Sequence, residues 1–159
     1  MTPTIQTLTP KILIGKRLTM SFADNKTTEL WRSFMPRRRE IVNTVGTDMF
    51  SMQVYPKGFF QNFDPAAEFD KWTAVEVTNF DAIPGEMEAV ELPGGLYAVF
   101  HYAGAPENGA EVFRYILGEW LPSSGYTLDN RPHFEVLGDK YKNGDPASEE
   151  EIWIPITQQ

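Results

Sequence analysis

One order of elements occurs twice along this chain, and that repetition limits the fold more than any single motif does. Residues 11–20 are moderately apolar and β-branched near their start and read as a strand. A helix follows, with Thr27 or Thr28 as cap and Leu30, Trp31, Phe34 and Met35 recurring at helical spacing. Residues 49–56 and 69–77 then read as two strands, separated by a loop carrying Gly58, Asn62 and Pro65. The second half repeats this order. Residues 87–92 and 96–102 form a strand interrupted by Pro93-Gly94-Gly95. A helix over 108–121 carries Val112, Phe113, Ile116, Leu117, Trp120 and Leu121, with Asn108 as a candidate cap, and strands at 133–137 and 149–156 complete the half.

The fold class that follows is α+β: two strand-helix-strand-strand repeats related by a pseudo-twofold, forming antiparallel sheet with a ligand cleft between the halves. At 159 residues the chain is expected to be one domain, residues 1–159. Residues 1–10 read as a loose lead-in. Pro36 is expected to kink or end the first helix and Pro122 to stop the second. Arg37-Arg38-Arg39 reads as a solvated face. Residues 123–126 and 129–132 read as turns, and 139–148 as a polar loop.

Side chains on a strand point alternately to opposite faces. In the last strand Ile152, Ile154 and Ile156 therefore share one face, while Glu151, Trp153 and Pro155 share the other. The isoleucines require a core. A carboxylate and an indole side by side can receive a cation through charge and through the ring face. An edge strand with an exposed acid, a rim Trp and a pairing-blocking Pro is the plainer alternative. Residues 69–77 again place an aromatic and an acid, Trp72 and Glu76, on one face. If the faces not covered by helices line a shared cleft, its walls are Tyr55, Trp72, Tyr97, Trp153 and Glu151, with Phe134 of the 133–137 strand a further candidate.

Composition narrows the function classes. The aromatic share of 13 % leaves rings beyond those needed for a core. A formal charge of -8 opposes direct nucleic-acid binding and favours cationic or neutral partners. With no cysteine there is no disulfide, thiol nucleophile or thiolate metal site, which fits a reducing cytoplasm. No stretch approaches the roughly 18 apolar residues of a membrane span. His101 and His133 lack metal-ligand spacing, so neither a metal nor a cofactor is expected. Gly94-Gly95 lacks the surroundings of a phosphate loop, Ser123-Ser124 has no nearby base, and residues 145–148 read as loop punctuation.

Four stretches together resemble the effector-binding domain of AraC-type and MerR-type regulators, the GyrI-like small-molecule-binding domain: residues 30–38, 51–55, 93–100, and the tail from Arg131-Pro132-His133-Phe134-Glu135-Val136-Leu137 through Glu151-Ile152-Trp153-Ile154-Pro155-Ile156. The resemblance implies the duplicated fold and a cleft whose last-strand glutamate faces ligand. By motif position that glutamate is Glu151. It implies a binder of cationic or amphipathic hydrophobic molecules. The alternatives it implies are a hydrolase of electrophilic small molecules using the same acid, or a protein inhibitor of a DNA topoisomerase. Relatives often carry Tyr where Leu137 stands, a hydroxyl that Tyr141 could supply. They also carry a helix-turn-helix before this domain, for which the ten residues ahead of the first strand leave no room. A homodimer through exposed strand edges, or a regulatory protein partner, fits the same reading.

Overall fold

The computed structural model describes residues 1–103, 109–138 and 149–159. Among these residues nine strands form one antiparallel sheet: β1 (Thr4–Leu8), β2 (Lys11–Ser21), β3 (Met49–Val54), β4 (Glu68–Glu76), β5 (Glu88–Leu92), β6 (Gly95–Ala103), β7 (Tyr126–Leu128), β8 (His133–Leu137) and β9 (Glu149–Gln158). Helix α1 (Thr27–Phe34) follows β2 and tightens into a 3-10 turn over Met35–Glu40, so Pro36 ends the α-helix as its sequence requires. Helix α2 (Gly109–Tyr115) follows β6.

The spatial order is β1-β6-β9-β8-β3-β4-β2-β5, with β7 alongside β9. The first repeat, β2-α1-β3-β4, and the second, β6-α2-β8-β9, each place their last strand between the other two. They meet where β3 pairs antiparallel with β8. Met49 lies opposite Leu137, Ser51 opposite Glu135 and Gln53 opposite His133, so the pseudo-twofold passes through the Ser51–Glu135 pair.

Short links force this sheet to curl. β1 and β2 sit near opposite ends of the path, yet only Thr9 and Pro10 separate them; β5 and β6 stand in the same relation, with Pro93 and Gly94 between. Two such links cannot span a flat eight-strand path at nearly 5 Å per strand, so the end regions must approach one another. They pack at Gly94, where a Cβ would lie 2.5 Å from the Leu8 carbonyl oxygen and 2.8 Å from Pro10 Cδ.

The inside of the curl holds a core of Leu8, Leu13, Leu92 and Tyr97 from the end strands with Phe50, Met52, Trp72 and Phe134 from the centre. Helix α1 covers the outer face of the first repeat over Ile14, Phe34, Val75 and Val77. Helix α2 covers that of the second over Phe100, Ile116, Ile152, Ile154 and Ile156. The isoleucines of the closing strand thus find the core that their alternation demands.

Four expectations are corrected. The lead-in contains β1, whose residues before Leu8 are all exposed and whose pairing is to the distant β6, from Thr4 with Val99 to Leu8 with Gly95, so local hydrophobicity does not reveal it. The interrupted strand is two strands near opposite ends of the sheet. Pro122 does not stop the second helix: α2 continues through a π-helical turn, Ile116–Trp120, into Leu121–Ser123, and the wider turn accommodates a residue without an N–H. Helix α1 begins without a side-chain cap on its first amide groups, although Asn25 Oδ1 accepts the Thr27 N–H. The proposed Asn108 cap, the Tyr141 hydroxyl and the 145–148 punctuation fall outside the described residues.

Gly94→Val is expected to lower stability by about 1–3 kcal/mol, because the new side chain meets backbone rather than a movable side chain. Gly118→Ala, whose Cβ meets nothing within 4 Å, should be neutral or slightly stabilising. Urea unfolding of the two variants checks the contrast.

Candidate functional site

β9 lies between β6 and β8, placing Glu151 opposite His101 on one side and Val136 on the other. Two residues on, Trp153 lies between Val99 and Phe134. The indole stacks on Phe134 (5.2 Å between centroids, 17° between planes) and meets Tyr97 edge-on at 5.7 Å. Its Nε1 donates to Glu151 Oε1 at 3.1 Å, and His101 Nε2 lies 3.3 Å from Glu151 Oε2. The indole is therefore anchored at its ring by the core and at its N–H by the acid.

Glu151 opens on a cavity of about 390 Å³ at the end of the central strands. Asp48, His101, Val136, Gly138, Glu149 and Glu150 contribute to the lining. The Glu151 side chain keeps 39 % of its free exposure, so the carboxylate is at the mouth and in reach of solvent. Among the described residues no group of three His, Cys, Asp or Glu side chains could hold a metal ion. No helix among them is long and apolar enough to cross a membrane.

The structure brings Trp72, Tyr97, Phe134 and Trp153 into one cluster on the inner face. Trp72, Tyr97 and Phe134 are buried there. Tyr97 donates its hydroxyl to the Pro132 carbonyl at 2.7 Å and takes the Arg131 guanidinium over its ring at 4.7 Å. Burial pushes its hydroxyl pKa up to about 12. Tyr55 is apart from this group. It lies on the helix side of the sheet, packed against Phe59, Phe60 and Phe69 and edge-on to His133 at 4.9 Å.

Sequence reasoning missed a second polar feature on that helix side. Between the two helix-covered regions, Ser51, Gln53, Lys71, Thr73, His133 and Glu135 are all buried. Register arranges them as two cross-strand rows: Thr73–Ser51–Glu135 and Lys71–Gln53–His133. Gln53 Nε2 donates to Glu135 Oε2 at 3.2 Å. Burial raises the Glu135 pKa, against the opposing pull of Lys71 and the Gln53 hydrogen bond. Burial lowers that of Lys71, against Glu135 and Glu150. Glu150 is raised to about 7 by burial and by Glu135, and His133 is lowered to about 3 by burial alone. The signal was present in sequence: each of three strands carries a polar pair two residues apart, opposite a core Met52, Trp72 or Phe134.

A duplicated, curled antiparallel sheet with a cavity at the ends of its central strands defines a small-molecule-binding class of α+β domain. The chain belongs to the GyrI-like family, matching the GyrI-like small molecule binding domain over residues 1–157. SAV2435 bound to tetraphenylphosphonium has the same fold, with a TM-score of 0.71, 20 % identity, and coverage of 99 % of this chain and 94 % of that one. A putative bacterial transcription regulation protein from Staphylococcus aureus superposes with a TM-score of 0.69 at 19 % identity, covering 99 % of both chains. The EcmrR C-terminal domain gives 0.71 at 16 % identity, over 98 % of this chain and 97 % of that one. Part of a sterol 24-C-methyltransferase from Eremothecium gossypii is 32 % identical over 113 residues, which is 58 % of this chain and 30 % of that protein.

A buried neutral His133 makes stability depend on pH with a definite sign. Its folded pKa of about 3 lies below the ordinary 6.5, so the unfolded chain binds more protons between these values. This contribution is complete above pH 6.5 and is lost as pH falls toward 3, with a slope of at most about 1.4 kcal/mol per pH unit. Glu150, raised from 4.5 to about 7, acts in the opposite direction between those pH values. His133→Phe should therefore lose less stability than the parent between pH 7 and pH 4.5, by about 2–3 kcal/mol. Urea unfolding at both pH values measures the difference.

Proposed function

We propose that this chain captures cationic or amphipathic hydrophobic small molecules at the cavity beside β9, with Glu151 as the counter-charge. The observation that carries the reading is the fixed carboxylate: Glu151 is oriented by the Trp153 N–H and by His101 while facing open space. Asp48, Glu149 and Glu150 add negative potential around the mouth. A ligand cation at Glu151 has the Trp153 ring system behind the acid, and a desolvated cation-to-ring contact is worth about 0.5–2 kcal/mol. Tetraphenylphosphonium in the similarly folded SAV2435 supports the same ligand class. Under this reading Trp72, Tyr97 and Phe134 hold Trp153 in place, and Tyr55 serves the opposite face. The setting that fits a cysteine-free chain of this kind is the cytoplasm.

The His101–Glu151 contact favours one second reading, in which the acid orients the imidazole to activate water against an electrophilic ligand. Turnover of such an electrophile, abolished in both His101→Gln and Glu151→Gln, would establish it. Binding without turnover would leave capture as the function.

Tetraphenylphosphonium titrated into the parent protein and into Glu151→Gln, followed by calorimetry, tests the capture reading. Removal of the charge is expected to weaken binding about tenfold, the equivalent of about 1.4 kcal/mol. Equal affinities rule out Glu151 as the counter-charge.

A further inference from the structure

At one end the sheet stops at β1, whose single strand partner among the described residues is β6. The backbone groups on its open edge follow from the pairing of β6. Tyr97 stands opposite Pro155, which has no N–H, and the Pro155 carbonyl turns away from β6 to accept from the Asp129 N–H at 3.0 Å. The Tyr97 N–H and C=O therefore face Gln6 of β1. One residue earlier the Leu96 carbonyl faces β9, where Arg131 bridges it to the Ile156 carbonyl. These directions alternate along an antiparallel ladder, so Gln6 exchanges bonds with Tyr97 while Ile5 and Thr7 turn their N–H and C=O groups outward. Thr4, Ile5, Gln6 and Thr7 are all exposed, which leaves that edge uncovered.

An open edge of this kind is a template for another strand, and proteins blunt it with charge, with proline inside the strand or with a bulge. β1 has none of these. Its register with β6 is unbroken, and Pro3 and Pro10 flank the strand without interrupting it. Residues 1–10 carry no charged side chain, in a chain of net charge -8. By contrast β5, at the opposite end of the sheet, carries Glu88 and Glu91.

We propose that β1 is a self-association edge, pairing antiparallel with β1 of a second copy about a twofold axis at Gln6. The outward groups set the register. With Gln6 opposite Gln6, Ile5 of each copy faces Thr7 of the other, and every outward group of the two residues finds its partner within β1, giving about four backbone hydrogen bonds. A second copy is the occupant because a twofold contact brings each residue near its own counterpart, where a charge would meet its like. The neutral edge meets that condition, and the Gln6 amides, donor and acceptor both, bond across the axis. One pair of short strands falls below the roughly 1,200 Å² of a stable interface, so the dimer is reversible and concentration-dependent. β1 lines no part of the Glu151 cavity, and the pairing stands apart from the ligand reading.

Sedimentation equilibrium of the full chain from micromolar to millimolar concentration tests the pairing. The average mass of the parent should rise from that of one chain toward that of two. Thr7→Pro removes an outward N–H and leaves the β6 ladder intact, and it should weaken association about tenfold or more. Gln6→Lys and Gln6→Glu should each do the same, because like charges then meet at the axis. An equimolar mixture of these two variants should recover association at least as tight as that of the parent. A merely structural role for Gln6 would not give that rescue, and the charge pair keeps the test open if Thr7→Pro fails to fold. A parent chain that stays monomeric at millimolar concentration overturns the proposal and leaves the edge to an extended segment of another protein. So does association unchanged in all three variants, or a mixture that remains monomeric.

Discussion

The antiparallel pairing of β3 with β8 is the constraint on which the rest depends. It joins two three-stranded units into one continuous sheet and brings Ser51 against Glu135 at the pseudo-twofold. Every long-range feature follows from that junction. The helices are carried on one side, the two short links must cross at Gly94, and β9 is held between β6 and β8 with its acid at the strand ends. Without the β3–β8 ladder each repeat would expose an edge strand and half a core.

The same junction separates two chemistries by one-residue alternation. Phe50, Met52, Trp72 and Phe134 point into the curl, while Ser51, Gln53, Lys71, Thr73 and Glu135 point outward between the helix-covered regions. Apolar burial on the inside supplies stabilisation at roughly 25 cal/mol per Å². The outward polar rows oppose it, because each buried donor or acceptor needs a partner to offset lost hydration. A shift of register by one residue would exchange these faces and place Lys71 and Glu135 in the apolar core.

Ring stacking and the acid form a graded structure at β9. Tyr97 is locked by its bond to Pro132 and by Arg131, Trp153 rests against Tyr97 and Phe134, and Glu151 is held in turn by the Trp153 N–H. Burial thus decreases from the core at Tyr97 through Trp153 to Glu151 at the cavity mouth.

Local sequence was sufficient for the repeated element order, for the 133–137 strand and for the facing of Ile152, Ile154 and Ile156 into a core, because periodicity is a property of neighbouring residues. It also placed Glu151 and Trp153 side by side, since residues two apart on a strand share a face whatever surrounds them. Tertiary structure alone decided that Thr4–Leu8 is a strand, that Pro122 sits within a continued helix, and that Tyr55 lies across the sheet from Trp153. It also decided that Lys71, Thr73 and Glu135 fall in neighbouring polar rows across β4, β3 and β8. The reason is that pairing partners and solvent exclusion are set by segments tens of residues away, and no window of local sequence contains them.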